Sequence, residues 1–305
     1  MSDNIIITSN LTKRYGNKNA ADKINIQVNK GEIYGLIGRN GAGKTTILKM
    51  LSGLSTPTEG CYSILGKTGK ELEAVRSKVG TLIENPGLYP NLSAYENLKL
   101  KCIVMDRNED GYIKELLNLV GLQDAGKKAA KNFSMGMKQR LGIALALIGD
   151  PEIIILDEPI NGLDPQGIAE MRDILKTLSK EKGLTIIISS HILEELAKIA
   201  DAYGIIHDGK LLVEMTAGEL EEKCGEYTVL KTDNNEKTAD ILRKFDITGF
   251  DQIDDETIHI NEKMKNKGKI IQELVVSGVD IREIAEKRIT LEQYYLQLTG
   301  GGKND

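Results

Sequence analysis

The sequence predicts an α/β fold with a mixed β-sheet, because short apolar runs alternate with helical patterns. Residues 153–156 (Ile-Ile-Ile-Leu) and 185–188 (Thr-Ile-Ile-Ile) are almost continuously apolar, as expected for strands buried on both faces of a parallel sheet. A helical pattern, Ile168–Ser179, lies between them. By contrast, residues 24–28 alternate between apolar and polar, which is typical of a half-buried strand.

The order of these elements predicts two domains. The larger covers residues 1–215 and contains a helical subdomain at about 85–150, whereas residues 216–305 form a small accessory α+β domain in which charge rises and short elements alternate. The subdomain helices are predicted at Glu96–Met105, Tyr112–Val120 and Met137–Ile148. The accessory elements are predicted at Tyr227–Leu230, Lys237–Phe245, Thr257–Ile260 and Lys267–Val276.

Four local features complete the expected organisation. Ile192–Ala200 has a helical pattern, and Asp208-Gly209 is typical of a hairpin turn. The acidic stretch Asp251–Glu256 is expected to be a solvated loop rather than a metal site, and residues 300–305 to be a frayed tail.

Composition argues against several classes of protein. The chain has 305 residues and a formal net charge of −5, whereas nucleic-acid-binding proteins usually have a basic surface. Cys61, Cys102 and Cys224 are far apart without a C-x-x-C pattern, so we expect reduced thiols in a cytosolic protein rather than disulfides or a zinc site. We expect no signal peptide, and no apolar run approaches the roughly 18 residues that span a bilayer.

A glycine-rich loop is the strongest single signal. Residues 38–46 match the pattern G-x-x-x-x-G-K-[ST] between an apolar strand, Ile33–Ile37, and a helix-like segment. Such a loop surrounds phosphate oxygens with backbone N–H groups, while Lys44 reaches the outer phosphates and Thr45 offers a hydroxyl to Mg²⁺. An ordinary glycine turn is the alternative, but the position between strand and helix favours nucleotide binding. The predicted phosphate-binding residues are Gly38, Arg39, Asn40, Gly41, Ala42, Gly43, Lys44, Thr45 and Thr46.

Acidic and histidine side chains follow two other predicted strands. Asp157 and Glu158 come directly after the strand at 153–156, and His191 follows the strand that begins at Thr185. Ligands of open parallel sheets bind at the carboxyl ends of the strands. Asp157 is therefore predicted to hold Mg²⁺, Glu158 to orient or deprotonate the attacking water, and His191 to contact the γ-phosphate. The alternatives are an acidic helix cap and a structural histidine.

A serine and a glycine open the helix that follows residue 134. Ser134 is well placed to cap this helix, and the exposed N–H groups of its first turn, near Gly136, can bind a phosphate. On its own this segment would be read as a plain helix cap.

The order of these motifs resembles the ATP-binding subunit of an ABC transporter, and the resemblance covers about Ile5 to Val213. It implies a P-loop NTPase of the ABC type that uses ATP and Mg²⁺. It also implies that Tyr15 stacks on adenine, that Ser134 and Gly136 belong to the signature loop, and that Asp164 belongs to the D-loop.

Two departures from the commonest family pattern point to one branch. Met135 and Met137 replace a glycine and a glutamine of the signature, and Glu84 stands where a glutamine usually follows the strand Val79–Ile83. Both resemble the bacitracin and lantibiotic resistance branch, which also has a short C-terminal extension. By this resemblance, Glu84 is a further candidate catalytic and Mg²⁺-binding residue.

The resemblance implies export of a substrate, of the peptide-antibiotic class, through a separate integral membrane permease. It further implies a second ATP-binding subunit, a peripheral position at the cytoplasmic face of the membrane, and no nucleic-acid partner. Tyr89 and Tyr95 of the helical subdomain are predicted to lie on the permease-docking surface. Two alternatives remain open: a soluble ABC ATPase acting on nucleic acid or ribosomes, and a regulatory module in which hydrolysis is secondary.

Overall fold

The computed structural model describes residues 4–107, 110–262, 264 and 266–300. The chain divides into two compact units, Met1–Ala217 and Gly218–Asp305. Residues 301–305 of the predicted frayed tail lie outside the described residues.

The first unit contains two β-sheets and several helices. Its strands are β1 (Asn4–Tyr15), β2 (Lys18–Ile24), β3 (Gln27–Asn29), β4 (Ile33–Ile37), β5 (Glu59–Ile64), β6 (Lys67–Thr68), β7 (Val79–Leu82), β8 (Ile153–Asp157), β9 (Thr185–Ser190), β10 (Ala202–His207) and β11 (Lys210–Thr216). Its helices are α1 (Lys44–Leu51), α2 (Ala94–Val104), α3 (Asp110–Leu119), α4 (Met135–Leu147), α5 (Pro165–Lys180) and α6 (Leu193–Leu196), and α7 (Ala217–Lys223) follows at the boundary. Short 3-10 segments occupy Gly69–Lys78, Gln123–Ala125 and Ala130–Asn132.

The central sheet places several loops at one edge. Its strand order is β11-β10-β4-β9-β8-β7, and every pair from β10 to β7 is parallel. Every residue of β4, β8 and β9 is buried, which confirms the prediction from their apolar runs. Because parallel strands end at the same edge, the segments after β4, β7, β8 and β9 converge there.

The second sheet is antiparallel, with the order β2-β1-β5-β6 and β3 paired to β1. The prediction of one strand over residues 24–28 is wrong, because the strand is interrupted between the end of β2 and the start of β3. The buried Thr8 hydroxyl enters this break, where it donates to the Ile24 carbonyl (2.9 Å) and accepts from the Ile26 N–H (2.8 Å). The Thr8 side chain thus makes hydrogen bonds that the backbone of a continuous strand would otherwise make. Both sheets and α1 share one hydrophobic core, which includes Ile6, Leu48 and Ile153.

The helical subdomain largely matches the prediction, with α2, α3 and α4 each starting two residues earlier than expected. The predicted helix Ile192–Ala200 is wrong in its length, because α6 ends at Leu196 and a tighter turn follows, in which the Ile199 N–H bonds to the Leu196 carbonyl at 3.0 Å. The predicted hairpin turn is confirmed, since Asp208 and Gly209 both have positive φ angles between β10 and β11.

The second unit is a small α+β fold, as predicted. Its elements are β12 (Glu226–Thr232), α8 (Asn235–Lys244), β13 (Phe250–Gln252), β14 (Thr257–Ile260), α9 (Lys267–Val276), β15 (Ile281–Arg288) and α10 (Leu291–Leu298). The strand order β13-β14-β12-β15, antiparallel throughout, is that of a βαββαβ unit with a split β-α-β arrangement. The acidic loop prediction is wrong for Asp251 and Gln252, which belong to β13.

Candidate active site

The glycine loop between β4 and α1 has a backbone that only glycine tolerates at two positions. Gly41 and Gly43 have φ angles of 81° and 111°, which lie in the left-handed region that side chains disfavour. A Cβ at Gly43 would lie 2.3 Å from the Ala20 carbonyl oxygen, and one at Gly38 would lie 2.6 Å from that of Ile206. The loop is therefore held tightly against neighbouring backbone.

Lys44 begins α1 and is only 5 % exposed. Its Nζ donates to the carbonyl oxygens of Gly38 (2.6 Å) and Arg39 (3.3 Å), and lies 3.1 Å from Glu158 Oε1. A buried ammonium group needs such partners because desolvation is costly. The phosphate-loop lysine and the predicted base are thus in direct contact.

A hydroxyl and a carboxylate meet beside this pair. Thr45 Oγ1 donates to Asp157 Oδ2 at 2.8 Å. The other oxygen of Asp157 accepts from Ser189 Oγ at 2.6 Å, and Ser189 Oγ in turn accepts from the Glu158 N–H at 3.0 Å. The sequence interpretation missed Ser189, although a serine near the end of a buried apolar strand, two residues before His191, is a signal that could have identified it.

Glu158 contacts His191 across the ends of β8 and β9. The Glu158 backbone is left-handed, with a φ angle of 50°, a strained conformation often found at functional sites. Its Oε2 lies 2.7 Å from His191 Nδ1 and accepts from the His191 N–H at 3.3 Å. The alternative that these acids cap the next helix is wrong, because Asp164 caps α5 through the Gly167 N–H at 3.0 Å.

Glu84 follows β7 and reaches the same edge of the sheet. Its backbone is also left-handed, with a φ angle of 64°, and its Oε1 accepts from Lys49 Nζ at 2.5 Å. This hydrogen bond with Glu84 is the main cause that raises the pKa of Lys49. The contact joins α1 to the segment that enters the helical subdomain. No sequence pattern indicated this contact.

The remaining predicted residues lie at helix and strand ends. The predicted cap of α4 is confirmed, since Ser134 Oγ accepts from the Met137 N–H at 3.2 Å. Gly136 lies next to the Leu163 side chain, 3.7 Å from where its Cβ would stand, so the starts of α4 and α5 adjoin. Tyr15 ends β1 with a ring that is 53 % exposed and lies 5.3 Å from Lys13 Nζ.

Comparison with known proteins assigns the family. A model of the ABC transporter family matches residues 21–161. The chain is 43% identical to the bacitracin transport ATP-binding protein BcrA of Bacillus licheniformis over 300 residues, 98% of each chain. It is also 47% identical over 205 residues to the lantibiotic transport ATP-binding protein SrtF of Streptococcus pyogenes, which spans 67% of this chain and 88% of the relative.

The chain belongs to the ATP-binding proteins of the ABC transporter family. It shares its fold with an ATP-binding cassette, MJ0796, solved as a dimer in a post-hydrolysis state bound to ADP and Pi. The TM-score is 0.63 at 27% identity, over 70% of this chain and 98% of that chain. This ABC protein is accordingly a nucleotide-binding ATPase.

The relatives also decide between the functional alternatives. Their names describe transport, which favours the transporter interpretation over a soluble ATPase acting on nucleic acid or ribosomes. In the part of the chain that the structure describes, no helix is both long and apolar enough to cross a membrane. Because the match to BcrA spans 300 residues, this ABC protein also shares most of its second unit with that relative.

Proposed function

We propose that this protein is the ATPase subunit that powers export of a peptide antibiotic through a separate integral membrane permease. The observation that carries the proposal is its similarity along nearly the whole chain to a bacitracin transport ATP-binding protein. The similarity to a lantibiotic transport protein supports the same substrate class. The protein would act at the cytoplasmic face of the cell membrane, bound there through the permease.

In the proposed reaction, Glu158 orients and deprotonates the water that attacks the γ-phosphorus of ATP. The new P–O bond replaces the bond to the bridging oxygen, so ADP and phosphate leave. His191 fixes the Glu158 carboxylate through the 2.7 Å contact. The phosphates offer Lys44 a stronger anionic partner than Glu158, so their binding would release this carboxylate for the water.

Oxygen atoms at the start of α1 and at the end of β8 suit Mg²⁺. Magnesium in phosphate sites is usually held by one or two carboxylates together with water and substrate oxygens. The Thr45 hydroxyl and the Asp157 carboxylate, 2.8 Å apart, are such ligands, and Glu84 is a third candidate. The described residues contain no cluster of His, Cys, Asp and Glu that would hold a metal by itself, so the phosphates would complete the site. Bound Mg²⁺ would neutralise charge on the phosphate oxygens.

A second copy of the protein would complete each ATP site. Ser134 and the first turn of α4 lie next to the start of α5, where Gly136 approaches Leu163. They do not belong to the contacts described above for Lys44. The free N–H groups of a helix start favour a phosphate. Two subunits arranged head to tail would therefore enclose two ATP molecules, with Asp164 at the interface and Tyr15 stacked on adenine.

A groove lined by both apolar and polar residues offers a docking surface for the permease. It has a volume of about 460 Å³ and opens beside Glu84, between the end of β7 and α2. Among the side chains that line it are Leu54, Ile83, Pro86, Tyr89, Leu100 and Val104. Tyr89 is 59 % exposed, whereas Tyr95 is not among these side chains and its ring lies 5.7 Å from Lys99 Nζ. We therefore assign the docking role to Tyr89 and no longer to Tyr95.

The test is affinity purification of the tagged protein from detergent-solubilised membranes, together with resistance of the cells to bacitracin and to a lantibiotic. An integral membrane protein recovered in near-equal amount, and resistance lost in a Glu158→Gln strain that still recovers it, would support the proposal. Recovery of ribosomal or DNA-binding proteins without a membrane protein would overturn it.

A further inference from the structure

Lys49 lies on α1 one turn after Thr45, on the side of the helix that faces the ends of β7 and β8. Its Nζ contacts Glu84 Oε1 at 2.5 Å, with 33 % of the lysine side chain and 61 % of the glutamate side chain exposed. The hydrogen bond with Glu84 is the main cause that raises the pKa of Lys49, and the Asp157 carboxylate makes a smaller contribution. One turn earlier on the same helix, Thr45 Oγ1 donates to Asp157 Oδ2 at 2.8 Å. Lys49 therefore lies close enough to interact electrostatically with the Asp157 carboxylate of the nucleotide site as well as with Glu84.

Glu84 adds a negative charge to an edge that already holds two carboxylates. Glu158 is paired with Lys44, and Asp157 is bonded by the Thr45 and Ser189 hydroxyls. The triphosphate of ATP is itself highly negative, so an uncompensated carboxylate at Glu84 would repel it. Lys49 is the cation that contacts Glu84 at this edge.

We propose that Lys49 is a positioning residue of the ATPase site: it balances the charge of Glu84 and holds the Glu84 carboxylate at the edge of the phosphate site. The inference rests on the proposed function, since it requires Glu84 to lie near the bound phosphates. It explains how a glutamate at this position repels ATP less strongly than an unpaired carboxylate would.

The first test measures ATP affinity by isothermal titration calorimetry with EDTA present, so that no Mg²⁺ contributes. At low salt, Lys49→Met should raise the Kd by about fivefold, the upper range for a partly exposed charge pair. Glu84→Gln should lower the Kd, and the double variant should return to the wild-type value because the net charge is restored. The differences should shrink at 0.5 M salt, where charges are screened.

The second test measures kcat with saturating ATP and Mg²⁺. Lys49→Met should lower kcat in the wild-type background and have no further effect in the Glu84→Gln background, because Lys49 acts through Glu84. Lys49→Arg should keep both kcat and affinity. The matched control is Lys67→Met, which removes another exposed lysine–glutamate pair, Lys67–Glu71 at 3.6 Å, and should change neither value. Thermal unfolding checks that each variant is folded.

An unchanged ATP affinity in Lys49→Met would overturn the inference, and so would a kcat loss from Lys49→Met of the same size with and without Glu84. The outcome for Glu84→Gln separates this inference from the proposed function. If Glu84→Gln alone changes neither affinity nor kcat, the role of Glu84 fails and the inference fails with it. If Glu84→Gln has an effect and Lys49→Met has none, only the role of Lys49 fails.

Discussion

Replacing Ser189 by alanine tests whether the ends of β8 and β9 form one hydrogen-bonded unit. Ser189 is fully buried, and its hydroxyl joins the Asp157 carboxylate at 2.6 Å to the Glu158 N–H at 3.0 Å. Ser189→Ala removes both hydrogen bonds without adding volume. It leaves Oδ1 of the buried Asp157 carboxylate and the Glu158 N–H without their hydrogen bonds to the Ser189 hydroxyl.

The magnitude follows from these two contacts. A hydrogen bond to a charged group contributes about 1.5–3 kcal/mol, and an unsatisfied buried donor costs about 1–3 kcal/mol. Water that enters the vacated space recovers part of this, so we expect a loss of about 2–3 kcal/mol in the free energy of unfolding. For a unit of this size that loss lowers the Tm by about 4–12 °C. We also expect kcat to fall by roughly a hundredfold, because Glu158 loses its backbone anchor and a small misplacement is costly.

The assay combines thermal unfolding in EDTA with phosphate release at 20 °C, below the unfolding transition. Ser179→Ala is the matched control, since Ser179 is equally buried but donates to the neutral Gly31 carbonyl at 2.9 Å, outside the site. It should cost about 1 kcal/mol of stability and leave kcat unchanged. If Ser189→Ala behaves like Ser179→Ala in both measurements, the proposed unit does not exist.

Three other predictions concern separate parts of the molecule. Glu158→Gln should lower kcat by at least about a hundredfold while ATP still binds in calorimetry, as expected on loss of a general base; normal phosphate release would exclude Glu158 from this role. Gly43→Ala should abolish ATP binding, since the new Cβ would lie 2.3 Å from the Ala20 oxygen; wild-type affinity would contradict the rigid loop. Tyr89→Glu should prevent co-purification of the permease but leave the ATPase activity of the isolated protein unchanged, and normal co-purification would exclude the groove as the docking surface.

The sequence predicted those parts of the fold and the site that local rules determine. The loop before Lys44 follows a short-range pattern in which glycine is needed for backbone geometry. The buried strands β8 and β9 were evident from apolar runs, and the polar residues that follow them lie at one edge because parallel strands end together. The sequence also predicts Ser134 as a helix cap, because capping depends on residues close together in the chain.

The contacts between elements could not be predicted, because they depend on strand order and register. Ser189 joins Asp157 and Glu158 only because β9 lies next to β8 with Ser189 opposite Asp157. The division of the strand at residues 24–28 depends on the Thr8 hydroxyl, which is distant in sequence. The sequence does not predict β15, because its many charged residues obscure a weak alternation of apolar and polar residues. Its place in the sheet comes from pairing with β12.

One helix, α1, connects the phosphate loop to the groove that we propose as the docking surface. Lys44 and Lys49 are five residues apart on α1, about 140° around its axis, so they point to different strand ends. Lys44 contacts Glu158 after β8, and Lys49 contacts Glu84 after β7, directly before the residues that line the groove. A movement of α1 that follows phosphate binding at Lys44 would therefore pull on Glu84 as well. In this arrangement a packed helix, with Leu48 and Met50 fully buried, would transmit the nucleotide state to the surface proposed for the permease.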